Sequence, residues 1–252
     1  MAMSNGWEES AGAWIETLGD VGDPARQFVL DPAMLERVDL CAGPGRSLDV
    51  GCGEGRFCRL LQARGWQTSG IDPAPSLIDR AQRLQPDGVF RVAGAEQLPF
   101  HAGEFELVVS YMSLLDIPDV KAAIAEMARV LRPGGHLLIA NMTSFATAAN
   151  PDPWKRLADG TQGWMLDNYM DERSYWIGWG NLRVMNWHRP LSTYMTLLLA
   201  AGLHLRHFDE PLPRGGSPDV LERSGLGSSR RVPGFLIMDW QKPTSSAGKD
   251  RP

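Results

Sequence analysis

The sequence predicts an α/β fold: a doubly wound, seven-stranded, mostly parallel sheet with an antiparallel last strand, plus an aromatic-rich cap inserted after strand five. Three observations predict it. The stretch from Ser47 to Phe57 reads as a short buried strand, a turn with glycines at 51, 53 and 55, and the start of a helix. The next strand, Thr68 to Ile71, ends in an acid, Asp72. Strand-like and helix-like apolar patterns then alternate as far as Ala140, which implies parallel strands with helices on both faces of the sheet.

Taken in order, residues 7 to 18 carry Trp7, Ala11, Trp14, Ile15 and Leu18 at helical spacing. Asp23-Pro24 reads as an N-cap with proline at the first helical position. A second helix follows over 24 to 40, with a break near Asp31-Pro32. These helices either cover a ligand cleft or only pack on the sheet. After the glycine turn, Phe57, Leu60 and Leu61 share one face, and Gly65 caps that helix. Pro75 to Leu84 is a helix, Val89 to Val92 the third strand and Glu106 to Ser110 a buried fourth. Asp119 starts a helix with Val120, Ile124, Met127 and Leu131 facing inward. Pro133-Gly134-Gly135 turns the chain into a fifth strand, His136 to Ala140.

The pattern then breaks. Residues 143 to 188 hold Trp154, Trp164, Tyr169, Tyr175, Trp176, Trp179 and Trp187. A structureless loop of that length does not suit a compact domain, and Ser174 to Trp187 fits a hairpin turning near Gly178–Asn181. The regular pattern resumes with a helix from Pro190 to Ala201, ended by Gly202. Leu203 to Phe208 and Phe235 to Trp240 are the last strands, antiparallel to each other. The Gly-, Pro-, Ser- and Arg-rich segment 211 to 233 reads as a mobile loop, and 241 to 252 as a disordered tail. The organisation expected is a helical lid over 1–40, a core of 41–142 with 189–241, an aromatic cap over 143–188 and a tail over 242–252.

The net charge of −5, with no basic stripe, argues against nucleic acid or an anionic membrane as partner. Cys41, Cys52 and Cys58 are odd in number and form no CxxC pair, which argues against a disulfide framework or a zinc site. No apolar h-region opens the chain, and no apolar run approaches the ~20 residues of a membrane span. The expectation is a cytoplasmic protein. Its oligomeric state is not readable.

A strand, a glycine turn, a helix and an acid ending the next strand form the nucleoside-binding half of a doubly wound fold. The Asp72 carboxylate can accept two hydrogen bonds from a ribose diol. The spacing is Gly-x-Gly-x-Gly, whereas the dinucleotide fingerprint places its third glycine one residue later. Four further segments follow: Gly70-Ile71-Asp72-Pro73, Gly94-Ala95-Glu96-Gln97-Leu98-Pro99-Phe100, Leu107-Val108-Val109-Ser110-Tyr111, and Arg129-Val130-Leu131-Arg132-Pro133-Gly134-Gly135. With Leu48 to Gly55, in this order and spacing, they closely resemble the class I S-adenosylmethionine-dependent methyltransferases. The small-molecule branch similar to the ubiquinone and menaquinone biosynthesis enzymes looks nearest. The resemblance covers roughly residues 40 to 142 and continues more weakly from His188 to Phe208.

The resemblance implies a Rossmann-like fold and S-adenosyl-L-methionine as cofactor. Asp49, Gly51, Cys52 and Gly53 match residues lining its methionine part. Asp72, followed by Pro73, matches the acid on the ribose hydroxyls. Ala95 and Glu96 match the adenine-side loop, and Ser110 the end of strand four beside the sulfonium. Many relatives carry Asp where Gly94 stands, so here the adenine amino group must bond Glu96, a backbone carbonyl or water.

A sulfonium is an activated methyl donor with a neutral leaving group, so alignment of the acceptor in a dry pocket is the main task. A phenol or acid acceptor also needs a base. His188 stands before a helix that begins at the ligand-binding edge, and is the first choice. Tyr111, after strand four, is the second candidate, to orient the acceptor; Asp116 on the same loop reads as a turn acid. The tryptophans of the cap either line an acceptor pocket or form the cap's own core. The function expected is methyl transfer to an oxygen or nitrogen of a small, aromatic acceptor. The alternatives are carbon methylation of a quinone-like ring, a nicotinamide dehydrogenase, which the glycine spacing disfavours, and a cofactor-binding regulator.

Overall fold

The computed structural model describes residues 5–19, 21–41, 43–150 and 153–244. Most of the expected tail lies outside the described residues. Helix α1 (Trp7–Leu18) opens the chain. Instead of one broken helix over 24 to 40, a π-helical turn (Arg26–Leu30) leads directly into α2 (Asp31–Leu40). The wide turn falls where Pro32 removes an amide donor.

The alternating part follows as β1 (Arg46–Val50), α3 (Arg56–Gln62), β2 (Gln67–Asp72), α4 (Pro75–Leu84), β3 (Val89–Val92), β4 (Phe105–Tyr111), α5 (Val120–Val130) and β5 (Leu131–Met142). Asp119 caps α5 by accepting the Ala122 amide at 3.0 Å. Strand β5 starts at Leu131, earlier than the sequence suggested. The Pro-Gly-Gly bend lies inside it and shifts the register against β4 between Phe105 and Leu107.

Residues 144–188 form a short helix α6 (Ser144–Ala149) and two hairpins. These are β6 (Trp154–Arg156) with β7 (Gln162–Trp164), and β8 (Arg173–Trp179) with β9 (Leu182–His188). The second hairpin turns at Gly180-Asn181, where Gly180 takes φ +57°. Helix α7 (Leu191–Ala200) and β10 (His204–Asp209) return the chain to the sheet. The segment read as a mobile loop holds a helix α8 (Pro218–Arg223), capped by Ser217, and a 3₁₀ turn (Leu226–Ser228). Its start signals, a capping Ser and an N1 Pro, were present but outweighed by the surrounding glycines. Strand β11 (Phe235–Gln241) completes the sheet.

The sheet order is β10-β11-β5-β4-β1-β2-β3, and only β11 runs against its neighbours. Asp49 pairs with Gly70 on one side and Val109 on the other, so β1 sits between β2 and β4. The chain winds away in both directions from β1 and β4, which opens a crevice at their carboxyl ends. Side chains alternate through the sheet. Val108 joins Leu48, Ile124 and Leu198 on one face, under α5 and α7. Leu107 and Val109 join Met34, Val38, Phe57 and Leu61 on the other, under α2 and α3. No helix among the described residues is long and apolar enough to cross a membrane.

Candidate active site

At the carboxyl ends of β1, β2 and β4 lies a cleft of about 450 Å³ lined by Asp49, Gly51, Cys52, Gly53, Asp72, Pro73, Ala95, Glu96 and Tyr111, among others. The turn after β1 builds its floor. The amides of Gly51 and Cys52 both donate to the Ile71 carbonyl, at 2.8 and 2.9 Å. Gly51 has φ +79°, and a Cβ there would stand 2.4 Å from Cβ of Ser113. Glycine is required at that point both by backbone conformation and by space.

Asp72 is held from two sides. Its Oδ2 accepts the Gly53 amide and its Oδ1 the Ala74 amide, each at 2.9 Å. Burial pushes its carboxyl up to about 6, and the two amides oppose that rise. Asp49 lies deeper, 2% exposed, and burial together with the nearby Asp72 charge pushes it up to about 7. Its Oδ1 has no hydrogen-bond partner among the described residues. A buried acceptor without a donor costs free energy, so this oxygen suits a ligand that donates. At the opposite end, Glu96 Oε2 lies 2.8 Å from where a Cβ on Gly94 would be. Its carboxylate thus fills the space that a side chain at 94 would take.

One expected residue is displaced, and another is held by a bond within the wall. Ser110 is fully buried behind the cleft, its Oγ 2.7 Å from Oγ of Ser113. Ser113 reaches the lining instead and donates to the Val50 carbonyl at 2.5 Å. Between them the backbone turns through Met112, a non-glycine residue at φ +58°, and such strain is held where a site demands it. Tyr111 does line the cleft, but its hydroxyl donates to Asp31 Oδ1 at 2.7 Å and its ring stacks on Phe57. Asp31 also pairs with Arg56 at the head of α3, so the π-helical segment is tied to the glycine turn.

His188 is not a cleft residue. It is fully buried at the end of β9 and absent from the wall of this cleft. Its Nε2 lies 2.8 Å from the Tyr169 carbonyl and its Nδ1 2.8 Å from the Thr147 hydroxyl. A carbonyl only accepts, so Nε2 carries the proton and Nδ1 is an acceptor. Burial holds its pKa below the usual histidine value. The sequence argument placed its backbone near the correct edge, but the side chain turns into the packing between α6 and the hairpin. The expectation of a general base at His188 is corrected on that ground.

A second chamber, of about 580 Å³, adjoins the first and shares Trp7, Trp14, Arg26, Met112 and Asp116 with it. Its remaining wall is mostly apolar, including Leu115, Met142, Ile177, Trp179, Val184 and Phe235. Of the tryptophans in the inserted segment, Trp179 is the one in these walls. Trp154 and Trp164 pack edge-on against each other, and Trp187 lies under Arg189. Trp7 and Trp14 of α1, themselves edge-on at 5.2 Å, supply the larger aromatic surface. The guanidinium of Arg26 covers the Trp14 ring at 4.8 Å.

Asp116 was passed over as a turn acid. Its carboxyl stands in the wall common to both chambers, beside the Trp7 indole, and accepts from the Asn186 amide. The loop carrying it is fixed by Arg189, a fully buried residue whose guanidinium donates to the carbonyls of Leu114, Ile117 and Pro118 at 3.3, 2.7 and 2.8 Å. Strand β9 adds a bond from the Trp187 amide to the Leu115 carbonyl at 2.6 Å.

A family model described as a methyltransferase domain matches residues 48–139. The chain is 31% identical over 162 residues to the ubiquinone biosynthesis O-methyltransferase of Marinobacter nauticus, across 56% of this chain and 68% of that one. It is 31% identical over 115 residues to the malonyl-[acyl-carrier protein] O-methyltransferase of Serratia marcescens, across 45% of each. It spans less than half the length of several curated relatives, the Serratia protein among them. A solved S-adenosylmethionine dependent methyltransferase from Mesorhizobium loti superposes with a TM-score of 0.74 at 25% identity, over 86% of this chain and 98% of that one.

Proposed function

The chain belongs to the class I S-adenosylmethionine-dependent methyltransferases, and on that premise we propose that it moves a methyl group to an oxygen or nitrogen of a small, aromatic acceptor. The observation that carries the proposal is the pair of adjoining chambers. One is built by strand ends and glycine amides; the other is apolar, aromatic-walled and joined to the first through Trp7, Trp14, Arg26, Met112 and Asp116.

The residues present fit the cofactor. The unpartnered Asp49 Oδ1 suits an ammonium donor, and each Asp72 oxygen keeps acceptor capacity beyond its one amide bond. The Glu96 carboxylate stands over Gly94, which supports Glu96 among the three adenine contacts the resemblance leaves open, with a backbone carbonyl and water the others. When bound, S-adenosylmethionine supplies an electrophilic methyl group on a sulfur that leaves neutral. The chain supplies the rest: Asp72 and Asp49 orient the donor, and Ser113 and Met112 shape the passage between the chambers. Trp7, Trp14 and Trp179 hold a flat acceptor and exclude water. In this reading residues 1–40 act as a lid and 143–188 as the acceptor-side cap.

The experiment is incubation with methyl-labelled S-adenosylmethionine and a panel of phenols, quinols and aromatic amines. Product analysis by NMR separates heteroatom from ring-carbon methylation. Label on a heteroatom is the expected result. Transfer confined to ring carbon, or none across the panel despite tight cofactor binding, would overturn it.

A further inference from the structure

We propose that Asp116 takes the proton of the methyl acceptor, and that the positive charge of the methyl donor switches this carboxyl from its protonated to its ionised form. The proposal rests on the methyltransferase reading above and adds to it a base and the means of its control.

The geometry comes first. Asp116 is the acid in the wall shared by both chambers. Its described hydrogen-bond donor, the Asn186 amide on β9, and the Trp7 indole of α1 beside it in the wall are both neutral. A carboxylate has about four acceptor positions, so capacity remains for a hydroxyl or amine hydrogen of the acceptor. Asp116 makes no ion pair among the described residues. The nearby cations are engaged elsewhere: Arg26 pairs with Asp23, and Arg189 holds backbone carbonyls.

The surrounding charges set its resting state. Burial holds its pKa well above the usual carboxylate range; Asp72 at the tip of β2 adds to that rise, while Asn186, Trp7 and Arg26 oppose it. The other titratable groups that feel it are the phenols of Tyr175 on β8 and Tyr194 on α7, both themselves raised by burial. Glu8, in the wall of the first chamber, is bonded to Ser76. With the chambers empty, these surroundings thus favour the protonated carboxyl more than in a free aspartate.

A cavity of 450 Å³ is roughly 10 Å across. A unit positive charge within that distance, at an effective dielectric constant of about 20, lowers a carboxyl's proton affinity by about tenfold or more. Donor binding therefore shifts Asp116 toward its ionised form, the proton passing to water. In the transfer, the lone pair of the acceptor O–H or N–H forms the new bond to the methyl carbon, and the carbon–sulfur bond breaks with its pair remaining on sulfur. The acceptor hydrogen passes to the Asp116 carboxylate. Sulfur is then neutral, so the carboxyl regains its affinity and retains that proton until the next donor binds.

The test requires no acceptor. Affinities of S-adenosylmethionine, S-adenosylhomocysteine and sinefungin are measured by calorimetry from about pH 6 to about pH 8.5. Sinefungin carries an ammonium where the donor has its sulfonium. In the wild type, the preference for either cationic ligand over S-adenosylhomocysteine should rise by about tenfold across this range. In Asp116→Asn the rise should shrink to about threefold or less, the remainder belonging to Asp49 and Asp72, and Asp116→Glu should restore it. Retained binding of S-adenosylhomocysteine shows that the variants are folded. Equal pH slopes in wild type and Asp116→Asn, or sinefungin behaving like S-adenosylhomocysteine, would overturn the proposal. Failure of all three ligands to bind the wild type would remove the methyltransferase reading itself, and this proposal with it.

Discussion

The two chambers are made in different ways. The floor of the first is built largely of backbone: the amides of Gly51, Cys52 and Gly53, the tips of three adjacent strands, and two carboxylates oriented from within 25 residues of each other. The second is built of side chains brought from Trp7, Arg26, Asp116, Trp179, Asn186 and Phe235, on elements far apart in the chain. A backbone-built site needs particular conformations in a fixed order, and so leaves a contiguous signature. A side-chain-built site needs only that certain groups converge, and the chain can reach that by many arrangements.

Three substitutions sharpen the contrast, beginning with the strongest. Gly51→Ala places a Cβ against Ser113 and forces a side chain onto φ +79°. It should cost about 3 kcal/mol of stability or more, and abolish measurable cofactor binding. Thermal melting and calorimetry read both effects. Binding retained near wild-type strength would show that the turn is not the rigid unit described.

The next concerns a residue outside both chambers. His188→Gln should lower stability by about 1–3 kcal/mol by disturbing the bonds to Thr147 and Tyr169, and leave turnover per folded molecule unchanged. Its pH behaviour has a definite sign. The folded pKa lies below the ordinary histidine value of 6.5, so neutral imidazole is favoured in the fold. The stability this contributes is present above about pH 6.5 and is lost as pH falls through the lowered folded pKa. The substitution should flatten that acid limb in a denaturation series. Loss of turnover without loss of stability would return His188 to the chemistry.

The smallest effect belongs to Glu96. Glu96→Gln keeps the shape over Gly94 but replaces one acceptor oxygen by a donor. Cofactor affinity should fall by about fivefold, the scale of one hydrogen bond. An unchanged affinity would assign the adenine contact to backbone instead.

The same contrast explains what the sequence made legible. Asp49, Gly51 and Asp72 were readable as cleft residues because a strand–turn–strand unit fixes their positions over a short span, and Ala95 because it follows the next parallel strand, β3. Glu96 was readable as a need: Gly94 removes a side chain, and something must replace it. His188 misled because topology fixes where a backbone enters a crevice and leaves χ1 free. Ser110 misled for a related reason, since the left-handed turn at Met112 passes the cleft-facing position to Ser113. Asp116 carried the local signal of a turn residue, and a turn acid and a cleft acid look alike until Asn186 and Trp7 are placed beside it. Trp7 and Trp14 were legible as one helix face, but what that face covers depends on β9, some 170 residues away.

The seam between α1 and the second hairpin has one more consequence. Met185 donates its amide to the Asn5 carbonyl at 2.9 Å, and Ser10 bonds both the amide and the carbonyl of Arg183. A two-stranded ribbon is marginal in water by itself, so the helix and the ribbon secure one another across the mouth of the molecule. Solvent deuterium reaches the Met185 nitrogen only when that seam parts. That single amide is a built-in clock for how often α1 and the ribbon separate.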